Sequence, residues 1–269
     1  MAVGCMPGPQ PETLVDDLVV IAAVPSAPEV GAGDVLGMDV HLGLPTDTPV
    51  DLLVWSCFPA SEEACLEEGA EDRVVVVEDA QEVNSIERTV PFELAGPLAA
   101  AGQELPLFVW SMACESGLCP LIEDAKAGDV EEAILASPID QMKDLPFDGV
   151  SLAARSVWLS SRPIEERRKN PVVEPAFEAP EEVALGESVT LDFQVADNDE
   201  VVEAYGYSLS GGFGEVSARV FEGQVQLEWF APEEPVEESG PTRVWVVFQS
   251  EEGGTAVWSE TWAVTAKSN

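Results

Sequence analysis

An all-β fold of two immunoglobulin-like β-sandwich domains in tandem, the first with a short helical insertion, is what the sequence predicts. Three observations point there. Short apolar runs alternate with period two and are broken at regular spacing by Gly and Pro, which number 21 each, as in a sandwich of short strands. A weak internal repeat brings back residues 27–34 as residues 179–187, each copy placing a Val three residues before a Gly. A hydrophobic fraction of 46% with seven Trp supports packed domains, and 269 residues suffice for two that each bury a core.

Residues 1–16 read as a lipobox remnant and a Pro-rich tether. Ala2-Val3-Gly4-Cys5 resembles the end of a bacterial lipobox, in which small residues precede a cysteine that becomes lipid-modified, so lipid attachment is expected at Cys5. Ala2 stands where Leu is usual and only Met1 lies upstream, so the given start is read as truncated or misassigned. Met6-Pro7-Gly8-Pro9-Gln10-Pro11 suits neither a helix nor a strand interior. In extended form this tether lifts the first domain by roughly 30 Å.

The first domain is placed at 17–162. Leu36, Met38, Val40 and Leu42 alternate through the strand that follows the repeat, and further strands are predicted at 50–57, 73–77, 86–94 and 105–112. An insertion near 120–147 precedes the last strand, 149–160. Within it, Asp129-Val130-Glu131-Glu132-Ala133-Ile134-Leu135 has helix-forming composition with acidic residues at its start, which predicts one short helix there. Residues 163–170 form a linker, and Arg162, Arg167, Arg168 and Lys169 gather around it. They are expected to neutralise two mutually repelling acidic domains.

The second domain is placed at 171–269. Val189, Leu191, Phe193 and Val195 repeat the alternation, followed by strands at 201–209, 215–220, 224–230 and 243–249. Trp55, Trp110, Trp245 and Trp258 each sit in a strand-like run and are read as core residues. The glycines of Ser210-Gly211-Gly212-Phe213-Gly214 lack the Lys and the helix of a phosphate loop and read as a hairpin turn.

Charge excludes whole classes of partner. Asp and Glu number 51 against 12 Lys and Arg, a formal net charge of -39. Nucleic acid needs a basic face that so few cations cannot supply, and an anionic membrane surface repels the chain. Contact with a membrane is expected through the lipid anchor only. No segment offers the 18 or more apolar residues of a spanning helix.

Apart from Cys5, the cysteines fall into two close pairs, Cys57 with Cys65 and Cys114 with Cys119. Their spacings fit zinc poorly, and disulfides imply an oxidising compartment. Four cysteines permit three connectivities. Proximity favours the two short loops, while crosswise pairing becomes open if the Trp55 and Trp110 strands are neighbours.

Catalytic chemistry finds little support. His41 is the sole imidazole and lies on the strand face opposite the apolar positions, where no nucleophile motif accompanies it. Paired carboxylates serve glycoside hydrolysis, but with so many acids some pair falls at any separation. No enzyme activity, catalytic residue or metal site is therefore assigned. The least poor cofactor candidate is calcium near Asp197 and Asp199, in Asp197-Asn198-Asp199-Glu200, which lacks the spacing of a helix-loop-helix calcium site.

The order of loose motifs carries a resemblance: the lipobox end, Val54-Trp55-Ser56-Cys57, Trp110-Ser111 followed by Cys114-x4-Cys119-Pro120, Gly149-Val150-Ser151-Leu152-Ala153, and Lys169-Asn170-Pro171-Val172. Together these resemble uncharacterised surface lipoproteins of myxobacteria and related bacteria. The resemblance implies the bacterial cell envelope, as an outer-membrane lipoprotein facing the periplasm or the surface. It implies action by binding or structural display toward an unknown protein or glycan ligand. The alternatives are a lipid-anchored hydrolase using paired carboxylates and a periplasmic assembly component.

Overall fold

The computed structural model describes residues 14–44, 48–57, 74–90, 104–128, 149–196, 202–215, 217–234 and 241–266. The protein is all-β, and its chain divides into two compact units. The first is Asp16–Pro171 with Gln249–Ala256, the second Met1–Val15 with Val172–Phe248 and Val257–Asn269.

In the first unit the chain forms β1 (Val19–Pro25), β2 (Glu29–Val30), β3 (Val35–Gly43), β4 (Val50–Cys57), β5 (Val74–Val77), β6 (Val83–Thr89), β7 (Leu105–Glu115), helix α1 (Pro120–Ala127) and β8 (Val150–Leu159). One sheet has the order β1-β3-β6 and the other β2-β8-β7-β4-β5. All pairs are antiparallel except β2 with β8. Because strand side chains alternate in direction, Leu36, Met38, Val40 and Leu42 all enter one core. There they meet Leu52, Val54, Val109, Val157 and Leu159 from the facing sheet. Each such aliphatic side chain contributes about 1.5–3 kcal/mol by leaving water.

The second unit contains β9 (Val172–Pro175), β10 (Glu182–Ala184), β11 (Ser188–Ala196), β12 (Val202–Ser208), β13 (Gly212–Phe213), β14 (Ser217–Arg219), β15 (Gln224–Phe230), β16 (Thr242–Ser250) and β17 (Thr255–Thr265). Its sheets run β13-β15-β11-β9 and β10-β17-β16-β12-β14, with β10 parallel to β17. Apart from β13, this is the plan of the first unit strand for strand. The core is aromatic: Phe193 meets Phe248 at 5.1 Å and Trp258 at 5.3 Å, and Trp229 meets Trp262 at 5.0 Å.

The sequence repeat is the connection that carries the chain from a sheet edge into the opposite sheet. Val30 and Val183 are the buried residues of β2 and β10. Gly33 (φ 78°) and Gly186 (φ 65°) then turn the chain in the left-handed region that a Cβ disfavours.

Four expectations are corrected or completed. A helix that was not anticipated occupies Pro120–Ala127, with proline at its first position and Gly128 at φ 90° after its end as the signals that place it; the helix expected at 129–135 lies outside the described residues. Strands β1 and β9 were not anticipated; β1 is buried on both faces, so it shows no alternation. On β8, Val150 and Leu152 stand outside the main core and pack against the second cluster, which holds Leu53, Trp55 and Met112. The run 210–214 lies in the connection between the antiparallel strands β12 and β14, and this connection is more than a tight turn. Gly212–Phe213 pairs with β15 in the facing sheet, and the Phe213 ring lies over Gly206 of β12, where a Cβ would come within 2.5 Å of it.

Candidate functional site

The basic cluster singled out in the sequence forms a clasp. Glu29 stands in β2, where its backbone pairs with Trp158 of β8, and its side chain is 0% exposed. A carboxylate so buried requires compensation, and three groups supply it. The Ser160 hydroxyl donates to it, Arg162 Nε lies 3.2 Å from Oε1, and Arg168 donates its backbone N–H at 3.1 Å and Nη1 at 3.2 Å to Oε2. Arg168 also donates to Glu104 at 2.9 Å and to Glu252 at 2.7 Å, while its guanidinium lies 4.9 Å over the Trp158 ring. Arg162 pairs with Glu104 as well.

A second pair extends the clasp. Arg167 is bound to Asp34, which also accepts the Gly31 N–H at 2.7 Å. A Cβ on Gly31 would meet Arg167 Nη2 at 2.5 Å, so the glycine makes room for the guanidinium. Burial pushes the Asp34 carboxyl up, but the Gly31 amide and Arg167 outweigh it and hold its pKa below the ordinary value. Burial likewise opposes the shift at Glu104, where Arg168 and Arg162 prevail and lower the pKa.

Beside the clasp lies a groove of about 450 Å³. Its apolar wall is Ala27, Val30, Val35 and Ile164, and its polar wall includes Arg167, Lys169 and Asn170. Val35 is 55% and Ile164 74% exposed. Asn170 pins the rim, donating to the Pro25 carbonyl at 2.5 Å and accepting the Thr255 N–H at 3.0 Å. The groove brings together a fixed backbone, an apolar surface and cations.

The other feature that departs from a plain sandwich is the outer face of the β2-β8-β7-β4-β5 sheet. Leu53, Trp55 and Met112 are buried there under Leu121, Ile122 and Ala125 of α1. Trp55 stacks on Trp110 at 6.1 Å with 13° between planes. The Cys114–Cys119 disulfide ties the end of β7 to the residue that opens α1. At the other end of the helix Lys126 donates to the buried Asp51 at 2.8 Å.

Cys5, Cys65, Asp197 and Asp199 lie outside the described residues, as does the side chain of Cys57. Antiparallel pairing sets Trp55 opposite Trp110 but carries Cys57 to Phe108 and Cys114 to Asp51. The two cysteines thus diverge by about six residues, roughly 20 Å along the strands, and crosswise pairing of Cys57 with Cys114 is overturned. His41 lies on the outer face of β3, half-buried. The arginines of 162–168 neutralise carboxylates of their own unit. Glu29, Glu104, Ser160, Val35 and Ile164 were not anticipated. Among the described residues no cluster of three or more metal-ligating side chains occurs.

No family model matches the sequence, and no curated protein does. Among solved structures, the chain is similar to red sea bream transglutaminase with 12% identity and a TM-score of 0.28, over 91% of this chain and 31% of that one. It is similar to the ICAM-5 ectodomain fragment with 12% identity and a TM-score of 0.25, over 93% of this chain and 54% of that one. The chain thus spans about a third and about half of the lengths of these two proteins.

Proposed function

We propose that the protein is a binding module of the bacterial cell envelope, anchored by a lipid on Cys5, with the groove beside the arginine clasp as its contact surface. The observation that carries the binding reading is that groove: a buried carboxylate and three arginines fix its polar wall, while Val35 and Ile164 are left exposed at its rim. Large exposed apolar groups beside convergent polar ones mark contact sites more often than isolated surface residues do. The anchor and the envelope address rest on the Ala2-Val3-Gly4-Cys5 motif and on the motif order described above. The protein works without catalysis in this reading, and its two sandwiches serve as scaffold and display.

Two experiments test it. Labelled palmitate fed to a bacterial host expressing the gene with its upstream codons is expected to mark the wild-type chain and not Cys5→Ser. A chain left unlabelled in the wild type contradicts the anchor. For the contact surface, a mixture of small apolar and amphiphilic fragments added to the ¹⁵N-labelled protein is expected to move amide signals of Val35 and Ile164. Shifts scattered over both units contradict it.

A further inference from the structure

We infer that the groove takes an amphiphilic anion, a carboxylate carried on an apolar body, with Lys169 as its counter-charge and Val35 and Ile164 as its apolar contacts. This rests on the reading of the groove as the contact surface and names the chemistry of what fills it.

Cations are scarce in this chain, 12 against 51 acids. Around the groove Arg162 and Arg168 are held by Glu29 and Glu104, and Arg167 by Asp34. Lys169 follows directly in sequence and lines the same groove. Among the described side chains it is the one cation with neither a hydrogen bond nor an ion pair. Its neighbours on both sides are fixed: Arg168 by the clasp, Asn170 by Pro25 and Thr255. The ammonium is thus presented from a held backbone with its charge uncommitted.

The groove's own acids are the reverse. Glu29 has no exposed side-chain surface, and Asp34 is taken by Arg167 and the Gly31 amide. A cationic ligand therefore meets no free partner there, and an anionic one meets Lys169. Exposed ion pairs are weak when taken alone, so charge selects the ligand while apolar contact with Ile164 and Val35 holds it. A bare carboxylate is too small to use that contact. A groove of this volume suits a body of several carbons.

Sodium octanoate, octanamide and sodium acetate are the probes, titrated into the ¹⁵N-labelled full chain with amide shifts of Val35 and of residues 164–170 as the readout. Octanoate is expected to shift these amides saturably, with octanamide binding about tenfold more weakly and acetate producing no saturable shift. Lys169→Gln, at an exposed position, is expected to bring octanoate down to the octanamide level and leave octanamide unchanged. Ile164→Ser is expected to weaken both. If octanoate and octanamide bind alike and Lys169→Gln changes neither, the anion inference is overturned while the groove stands as a contact surface. If no probe shifts the groove amides, both fall.

Discussion

Glu29 shows what the repeat hides. Its counterpart in the second copy is Glu182, at the same place in the edge strand and next to the same buried Val. Glu182 is exposed, whereas Glu29 is enclosed by Ser160, Arg162 and Arg168. Nothing local distinguishes the two, because the difference lies in residues about 130 positions away. Glu29→Ala removes the buried carboxylate that Ser160, Arg162 and Arg168 share and is expected to cost about 3 kcal/mol, while Glu182→Ala should fall within about 0.5 kcal/mol. Urea unfolding of the two variants compares them directly. The clasp also carries a pH signature. Asp34 and Glu104 have folded pKa values below their ordinary ones, so their contribution is fully present above the unfolded range, near pH 4. It is lost as pH falls through the lowered values. Trp158 under the Arg168 guanidinium reports this by fluorescence: an acid transition is expected in the wild type and is expected to move when Glu104→Gln removes one carboxylate.

At the scale of elements, legibility followed burial. Strand β15 was read to the residue because only one of its faces is buried, and Val225, Leu227 and Trp229 alternate with exposed partners. Strand β1, buried on both faces, and β9, with a single partner strand in β11, gave no such rhythm. The cysteine pair at 114 and 119 was visible as spacing, but its use was not: it starts a helix over a sheet face that a plain sandwich would leave to water. Closing so short a loop contributes about 2 kcal/mol in the chain-entropy account, so Cys119→Ser should destabilise by that order. The near-UV dichroism of the Trp55–Trp110 stack should weaken with it. Lys126 at the other end of α1 is raised above its ordinary pKa, chiefly by its hydrogen bond to Asp51. Its contribution is therefore complete below the unfolded lysine value and is lost as pH rises through the raised one. An alkaline change in that dichroism, absent in Lys126→Met, is the expected observation.

For the whole molecule, one strand plan is used twice and then differentiated. Both copies keep an edge strand parallel to the last strand and a Gly turn into the facing sheet. The first adds the helix α1, the disulfide and the clasp, and with the clasp a groove. A net charge of -39 opposes compactness in both, and screening shortens from about 30 Å to about 3 Å between 0.01 M and 1 M salt. The melting temperature is accordingly expected to rise over that range in a thermal denaturation series, and a fall would mean that screened attractions outweigh the self-repulsion. In the function proposed above, binding belongs to the first copy and to its groove. Hydrogen–deuterium exchange of the full chain with and without octanoate tests it most directly. Protection confined to peptides covering 26–35 and 162–170 is the predicted result; protection centred on 202–230 of the second copy, or none anywhere, would contradict it.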